Sequence, residues 1–163
     1  MAYKVAVVGA TGNVGREMLS VLVERAFPAS EVVALASSRS VGTEVSFGDG
    51  ILKVKSLEHY DFKGTDIVLM SAGGAVSKTW SPKIAAQGAI VIDNSSAWRM
   101  DRGVPLIVPE VNASALDDVH PYVFFAPMTQ GRISGGTTVQ PWKRAHVYTG
   151  AVAPPPEKKA SAS

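Results

Sequence analysis

A short apolar run that ends in three evenly spaced glycines leaves this chain few ways to fold. Val5 to Val8 lead into Gly9, Gly12 and Gly15, within the stretch YKVAVVGATGNVG. Behind the glycines, Val14, Met18, Val21 and Leu22 recur at helical spacing. The pattern predicts a strand, a glycine turn and a helix from about Asn13 to about Arg25, ended by Phe27-Pro28. A helix start carries N–H groups without intrahelical partners and a partial positive charge. Glycines let the turn bend and let a phosphate approach the backbone. The spacing is G-x-x-G-x-x-G and not G-x-G-x-x-G, so the triplet alone also suits a plain structural turn. Its setting between strand and helix favours dinucleotide binding.

The rest of the chain repeats the theme. EVVALAS at 31–37 reads as a buried second strand, ending in Ser37-Ser38-Arg39-Ser40. In a dinucleotide fold that strand end faces the adenosine ribose, where NAD enzymes usually place a carboxylate. A guanidinium there pairs with a 2′-phosphate instead. Ser37, Arg39 and Ser40 therefore point to NADP; Arg39 also reads as a solvated loop residue. TEVSF and ILKVKSL flank Gly48-Asp49-Gly50, which suggests a hairpin. His59 reads as a surface residue. DIVLMS at 66–71 is a third strand, closed by Ala72-Gly73-Gly74. Ser71, Ala72 and Gly73 fit a ligand crossing the sheet edge, and equally a tight loop.

A second helix is expected over about 76–87, with Ser81-Pro82 marking a kink or a new start and Gly88 as its cap. Ala89 to Ile92 form a fourth strand, leading into Asp93-Asn94-Ser95-Ser96. The hydroxyls and amide of Asn94, Ser95 and Ser96 suit a nicotinamide or ribose. Arg99 suits an anionic substrate, or a surface ion pair. PLIVPEVN at 105–112 is a further short strand, and Trp80 and Trp98 read as packing residues. Strands alternate with helices and polar residues collect at strand ends. This predicts an α/β fold, a Rossmann-type, doubly wound and mostly parallel sheet.

Composition narrows the partners. The chain is 46% apolar and 18% charged with a net charge of +2, too small to argue for nucleic acid. No apolar run approaches the ~20 residues of a membrane span, and the N-terminus does not read as a signal peptide. There is no cysteine, which removes disulfides, thiolate metal sites and thiol nucleophiles. His59, His120 and His146 are scattered, without metal-ligand spacing.

Five motifs in order, VAVVGATGNVGREML, LASSRSVG, LMSAGG, VIDNSSAWRM and VPLIVPEVN, resemble the N-terminal half of bacterial aspartate-semialdehyde dehydrogenase, from about Tyr3 to about Leu116. The sibling N-acetyl-glutamyl-phosphate reductases share the architecture but fit less well. The resemblance implies NADPH-dependent reductive dephosphorylation of aspartyl phosphate, in the cytoplasmic biosynthesis of lysine, methionine and threonine. It implies that Thr11 to Val14, with Gly12 and Asn13 between, wrap the pyrophosphate, and Gly9 and Gly15 belong to the same cofactor-binding turn. Arg39, Ser40 and Ser37 would hold the 2′-phosphate. Ser71 to Gly73 and Asn94 to Ser96 would line the nicotinamide, and Arg99 would bind phosphate or the substrate's phosphate.

The resemblance stops near Leu116. The family continues into a strand with a nucleophilic cysteine and a second, dimerising domain; neither is found in the remaining residues. A serine is no simple substitute, because its hydroxyl needs an adjacent base. Residues 1–120 carry 11 Lys+Arg and 13 Asp+Glu, whereas residues 121–163 carry 5 and 1 and are rich in Gly, Pro, Ser and Thr. We therefore expect a cofactor-binding domain over 1–118 and a poorly ordered tail over 119–163, as in a truncated enzyme that binds NADP(H) without turnover. A non-catalytic binding or regulatory module that pairs with an intact subunit is a second reading, and a sibling acyl-phosphate reductase such as N-acetyl-glutamyl-phosphate reductase is a third, against which the missing cysteine argues.

Overall fold

The computed structural model describes residues 2–101, 104, 106 and 107. Five strands form one parallel sheet: β1 (Tyr3–Val8), β2 (Ala29–Ala36), β5 (Lys55–Ser56), β6 (Ile67–Met70) and β7 (Ile90–Asp93). Their spatial order is β5-β2-β1-β6-β7. The chain therefore builds outward from β1 to one side, then returns past it and builds to the other. Helix α1 (Asn13–Glu24) joins β1 to β2, and helix α2 (Gly74–Ala85) joins β6 to β7. β3 (Glu44–Phe47) and β4 (Gly50–Lys53) form a separate antiparallel hairpin, turned by Gly48 and Asp49.

Alternation along the strands sends side chains to two apolar layers. Ala6, Val8, Val33, Leu35, Val68, Met70 and Val91 share one layer with Ile84 and Ala85 of α2. Val7, Ala34 and Ala36 face the opposite layer, with Leu19 of α1 and Val45 of the hairpin. Both faces are covered, one by each helix, so the sheet is doubly wound, as the sequence implies. The buried strands read as near-continuous Val, Ile and Ala runs for this reason. Trp80 and Trp98 pack against the first layer, also as expected.

The register of β1 on β2 sets Lys4 opposite Glu31. Lys4 Nζ lies 2.9 Å from Glu31 Oε2, and this hydrogen bond raises the lysine's pKa above its ordinary value. On its other side, the Lys4 N–H donates to Asp66 Oδ2 (2.7 Å), while Asp66 N–H donates to the Lys4 carbonyl (3.0 Å). The start of β1 is thus tied on both sides by side chains as well as by backbone bonds.

Boundaries differ from expectation in informative ways. The run ILKVKSL is two strands in two sheets. Val54 between them is buried, and its N–H and C=O bond to Thr43 and Gly42 at the foot of the hairpin. β4 therefore ends there, and β5 joins the main sheet beside Leu35 and Ala36. Helix α2 begins at Gly74, two residues early, because Gly73 takes φ 83° as its N-cap and accepts the Ser77 N–H (3.0 Å). One helix runs through Pro82 without restarting. It ends at Ala85, with Gly88 (φ 97°) closing the exit by an N–H bond to the Ala85 carbonyl. His59 is exposed in a 3-10 turn, as expected. Most of the 105–112 strand, and the whole of the 119–163 tail with His120 and His146, lie outside the described residues.

Phe62 is the largest fully buried side chain among the described residues and stacks edge-on against Tyr60, with centroids 4.9 Å apart. Phe62→Ala is expected to cost about 3–5 kcal/mol in denaturant unfolding. Ile51→Ala, on the exposed hairpin, should stay within about 0.5 kcal/mol.

Candidate functional site

All five sheet strands run parallel, so their C-terminal ends share one edge. The turn after β5, 57–59, lies at one end of it, and the four loops with expected cofactor residues follow in spatial order: 37–40 after β2, 9–12 after β1, 71–73 after β6 and 94–96 after β7. Backbone bonds fasten each to its neighbour. Gly9 and Ala10 N–H donate to the Leu35 carbonyl at 2.8 and 3.1 Å, Ser71 N–H to the Val8 carbonyl at 2.9 Å, and Asn94 N–H to the Met70 carbonyl at 3.2 Å. Every predicted cofactor residue except those on the helix start lies in one of these loops.

The glycines have separate physical jobs. Gly9 sits at φ 82°, and a Cβ there would lie 2.6 Å from the Ser71 carbonyl oxygen. A side chain at Gly15 would come within 2.2 Å of the Gly9 carbonyl oxygen, so the helix start rests directly on the turn. A Cβ on Gly12 would meet nothing nearer than the Gly9 oxygen at 3.4 Å. Gly12 is the helix N-cap, with no side-chain capping bond and no acidic residue in the first turn. The N–H groups of Asn13, Val14 and Gly15 make no backbone hydrogen bond among the described residues. Asn13 and Val14 are exposed, and Thr11 is half-buried. The arrangement fits an anion with bound oxygens: unpartnered donors, positive dipole end, no competing carboxylate.

Sequence reasoning passed over Arg16. Its Nε donates to the Thr11 carbonyl (3.2 Å) across the turn. At the β2 end, Ser37 precedes a 3-10 turn, Ser38–Ser40, and its carbonyl accepts the Ser40 N–H (2.9 Å). Arg39 is exposed and forms no ion pair among the described residues. Ser40 is half-buried, with its carbonyl taken by Thr43 Oγ1 (2.6 Å).

The opposite end is held by buried side chains. Asp93 is 1% exposed. Its carboxylate accepts from Ser95 N–H (2.8 Å), Ser95 Oγ (2.8 Å) and Ser77 Oγ. Ser77 Oγ also accepts from Trp98 Nε1 (2.7 Å) and lies 3.1 Å from Ser81 Oγ. Since the single Ser77 hydroxyl proton goes to Asp93, Ser81 must be the donor in that last pair. Asp93 is therefore an internal anchor, and Asn94, Ser95 and Ser96 are presented by it. Arg99 is brought to the same loop, its Nη2 donating to the Asn94 carbonyl at 3.4 Å. Ser77 and Ser81 were legible only as polar positions four residues apart on the face that carries Ile84 and Ala85.

A family model described as the semialdehyde dehydrogenase NAD binding domain matches residues 4–119. The chain belongs to this family. Among its relatives, the aspartate-semialdehyde dehydrogenase of Aquifex aeolicus is 56% identical over 119 residues, covering 72% of this chain and 35% of that protein. That of Rickettsia conorii is 53% identical over 116 residues, covering 71% and 34%. The chain thus spans about a third of the length of the curated relatives it matches. Aspartate semialdehyde dehydrogenase II of Vibrio cholerae superposes with a TM-score of 0.73 at 42% identity, over 77% of this chain and 42% of that one. The enzyme of Candida albicans, solved with NADP, shares the fold with a TM-score of 0.55 at 21% identity, over 77% and 42%. The semialdehyde dehydrogenase NAD binding domain, and the resemblance to aspartate-semialdehyde dehydrogenases, are therefore as the motifs imply. No helix among the described residues is long and apolar enough to cross a membrane.

Two substitutions test the geometry. Gly15→Ala is expected to cost about 1–3 kcal/mol or more by forcing backbone apart, whereas Gly12→Ala should leave the unfolding midpoint nearly unchanged. Ser77→Ala strips one partner from each of Asp93, Trp98 and Ser81, with an expected loss of about 2–3 kcal/mol. Thr79→Ala, exposed on the same helix, is the control and should cost under about 1 kcal/mol.

Proposed function

We propose that this domain binds NADP(H) across the C-terminal edge of its sheet, as the cofactor-binding half of an aspartate-semialdehyde dehydrogenase. The observation that carries the reading is the order of the four loops. Arginine and serines, then unpartnered helix-start amides, then two polar loops, follow one another along the edge in the order of a 2′-phosphate, a pyrophosphate and a nicotinamide. In doubly wound sheets ligands bind where the strand order reverses, here between β1 and β6.

On this reading Gly9 and Thr11 to Gly15 wrap the pyrophosphate. Ser37, Arg39 and Ser40 hold the 2′-phosphate. Ser71, Ala72 and Gly73 face the nicotinamide from one side, and Asn94, Ser95 and Ser96 from the other. Arg99 binds inorganic phosphate or the aspartyl phosphate group. Phosphate would leave when a thiolate attacks the aspartyl phosphate, and bound NADPH would supply the hydride that converts the resulting thioester to aspartate semialdehyde and frees the thiolate. The sequence contains no cysteine to carry a thioester. The covalent step is therefore assigned to residues outside this sequence, and residues 1–118 are the cofactor unit of a cytoplasmic biosynthetic enzyme.

Calorimetric titration with NADPH and NADH tests the assignment. Saturable binding that prefers NADPH, without turnover, is the expected result. Arg39→Ala should weaken NADPH about ten- to a hundredfold, the range for one charge-assisted contact, and leave NADH unchanged. Equal losses for both cofactors would overturn the 2′-phosphate assignment.

A further inference from the structure

The case for NADP rests on the lack of a carboxylate immediately after β2, yet the fold delivers one from elsewhere. β5 pairs in parallel with the last two residues of β2, so the turn that follows β5 emerges beside the turn that follows β2. That second turn, Leu57–His59, carries Glu58. Ser38 Oγ donates to Glu58 Oε2, across 20 residues of sequence, and lies 3.4 Å from Ser56 Oγ. Ser38 stands between Ser37 and Arg39, and Ser38, Arg39 and Glu58 are all exposed. The Ser38 hydroxyl proton is thereby committed to Glu58, leaving Ser37, Arg39 and Ser40 to meet a ligand.

We propose that Glu58 is a specificity-determining residue of the adenosine end, which tempers the preference for the 2′-phosphate. This rests on the cofactor reading above. A carboxylate bonded to Ser38, the residue before Arg39, opposes part of the attraction that this strand end offers a dianionic phosphate. It exerts little on the neutral 2′-hydroxyl of NADH. Because the groups are exposed, the effect is modest and falls with salt.

A graded charge series separates this role from a structural one. Glu58→Gln keeps an acceptor for Ser38 and removes the charge; Glu58→Lys reverses it. Wild type and both variants are titrated with NADPH and NADH at low and at high salt. The expected result is that NADPH binds about two- to fivefold tighter in Glu58→Gln and tighter again in Glu58→Lys. NADH affinity stays flat, and the gains shrink at high salt. Ser38→Ala, which frees the carboxylate from its hydroxyl partner but keeps the charge, should raise the NADPH/NADH preference by less than Glu58→Gln does. If wild type prefers NADPH but the series is flat, or both cofactors shift together, the role of Glu58 is overturned and the cofactor reading stands. If wild type shows no preference for NADPH, or binds neither cofactor, the cofactor reading fails and this inference fails with it.

Discussion

The ends of β1 and β6 lie too close for any side chain between them. A methyl group on Gly9 would collide with the Ser71 carbonyl, and one on Gly15 with the carbonyl of Gly9 itself. Three backbone segments, the turn, the first residues of α1 and the loop after β6, are therefore stacked without intervening side chains. The stack lies where the chain changes direction across the sheet. It draws the start of α1 onto the sheet edge and leaves its first amide groups unpartnered there. Without those glycines the helix would have to stand off, and the edge would lose its donors.

The two ends of the candidate site are built from different materials. Toward β2 it is made of backbone turns and exposed side chains, Ser37, Arg39 and Glu58 among them. Such groups act through charge in high dielectric, so a carboxylate such as Glu58 that does not touch the ligand tunes selectivity by small amounts, whereas a direct charge-assisted bond from Arg39 counts for more. Toward β7 the loop hangs on Asp93, buried and bonded to Ser77 and Ser95. Buried polar networks are costly to break because a buried group that loses a partner cannot replace it with water. That end is set by geometry and should tolerate little variation.

Much of this was legible because the governing signals are local. The four core strands appear as Val, Ile and Ala runs, and α1 as a 3.6-residue repeat. The positive-φ glycines also announce their turns. What was missed is non-local or goes against propensity. Nothing in ILKVKSL says that Val54 spends its backbone bonds on Gly42 and Thr43, which is what divides the run between two sheets. Gly74 looks like loop by propensity, yet the Gly73 carbonyl and its N-cap conformation make it the first residue of a helix. Glu58 reaches Ser38 only through the pairing of β5 with β2, a contact between segments that are 20 residues apart. Asp93 was visible as part of a polar cluster. Its inward role depends on Ser77 and Ser81, which come from a different element.

The Ser77 hydroxyl has one hydrogen and three neighbours, so its bonds can be arranged in only one way. This amounts to a rule about spelling at position 77. The residue there must give one hydrogen and take two, in a space with 0% exposure. Alanine gives nothing, a thiol is too weak and too large, and threonine brings a methyl group that the closed space must accommodate. Asp93 imposes that rule from another element of the fold, so α2 is constrained at this position by chemistry it does not itself contain.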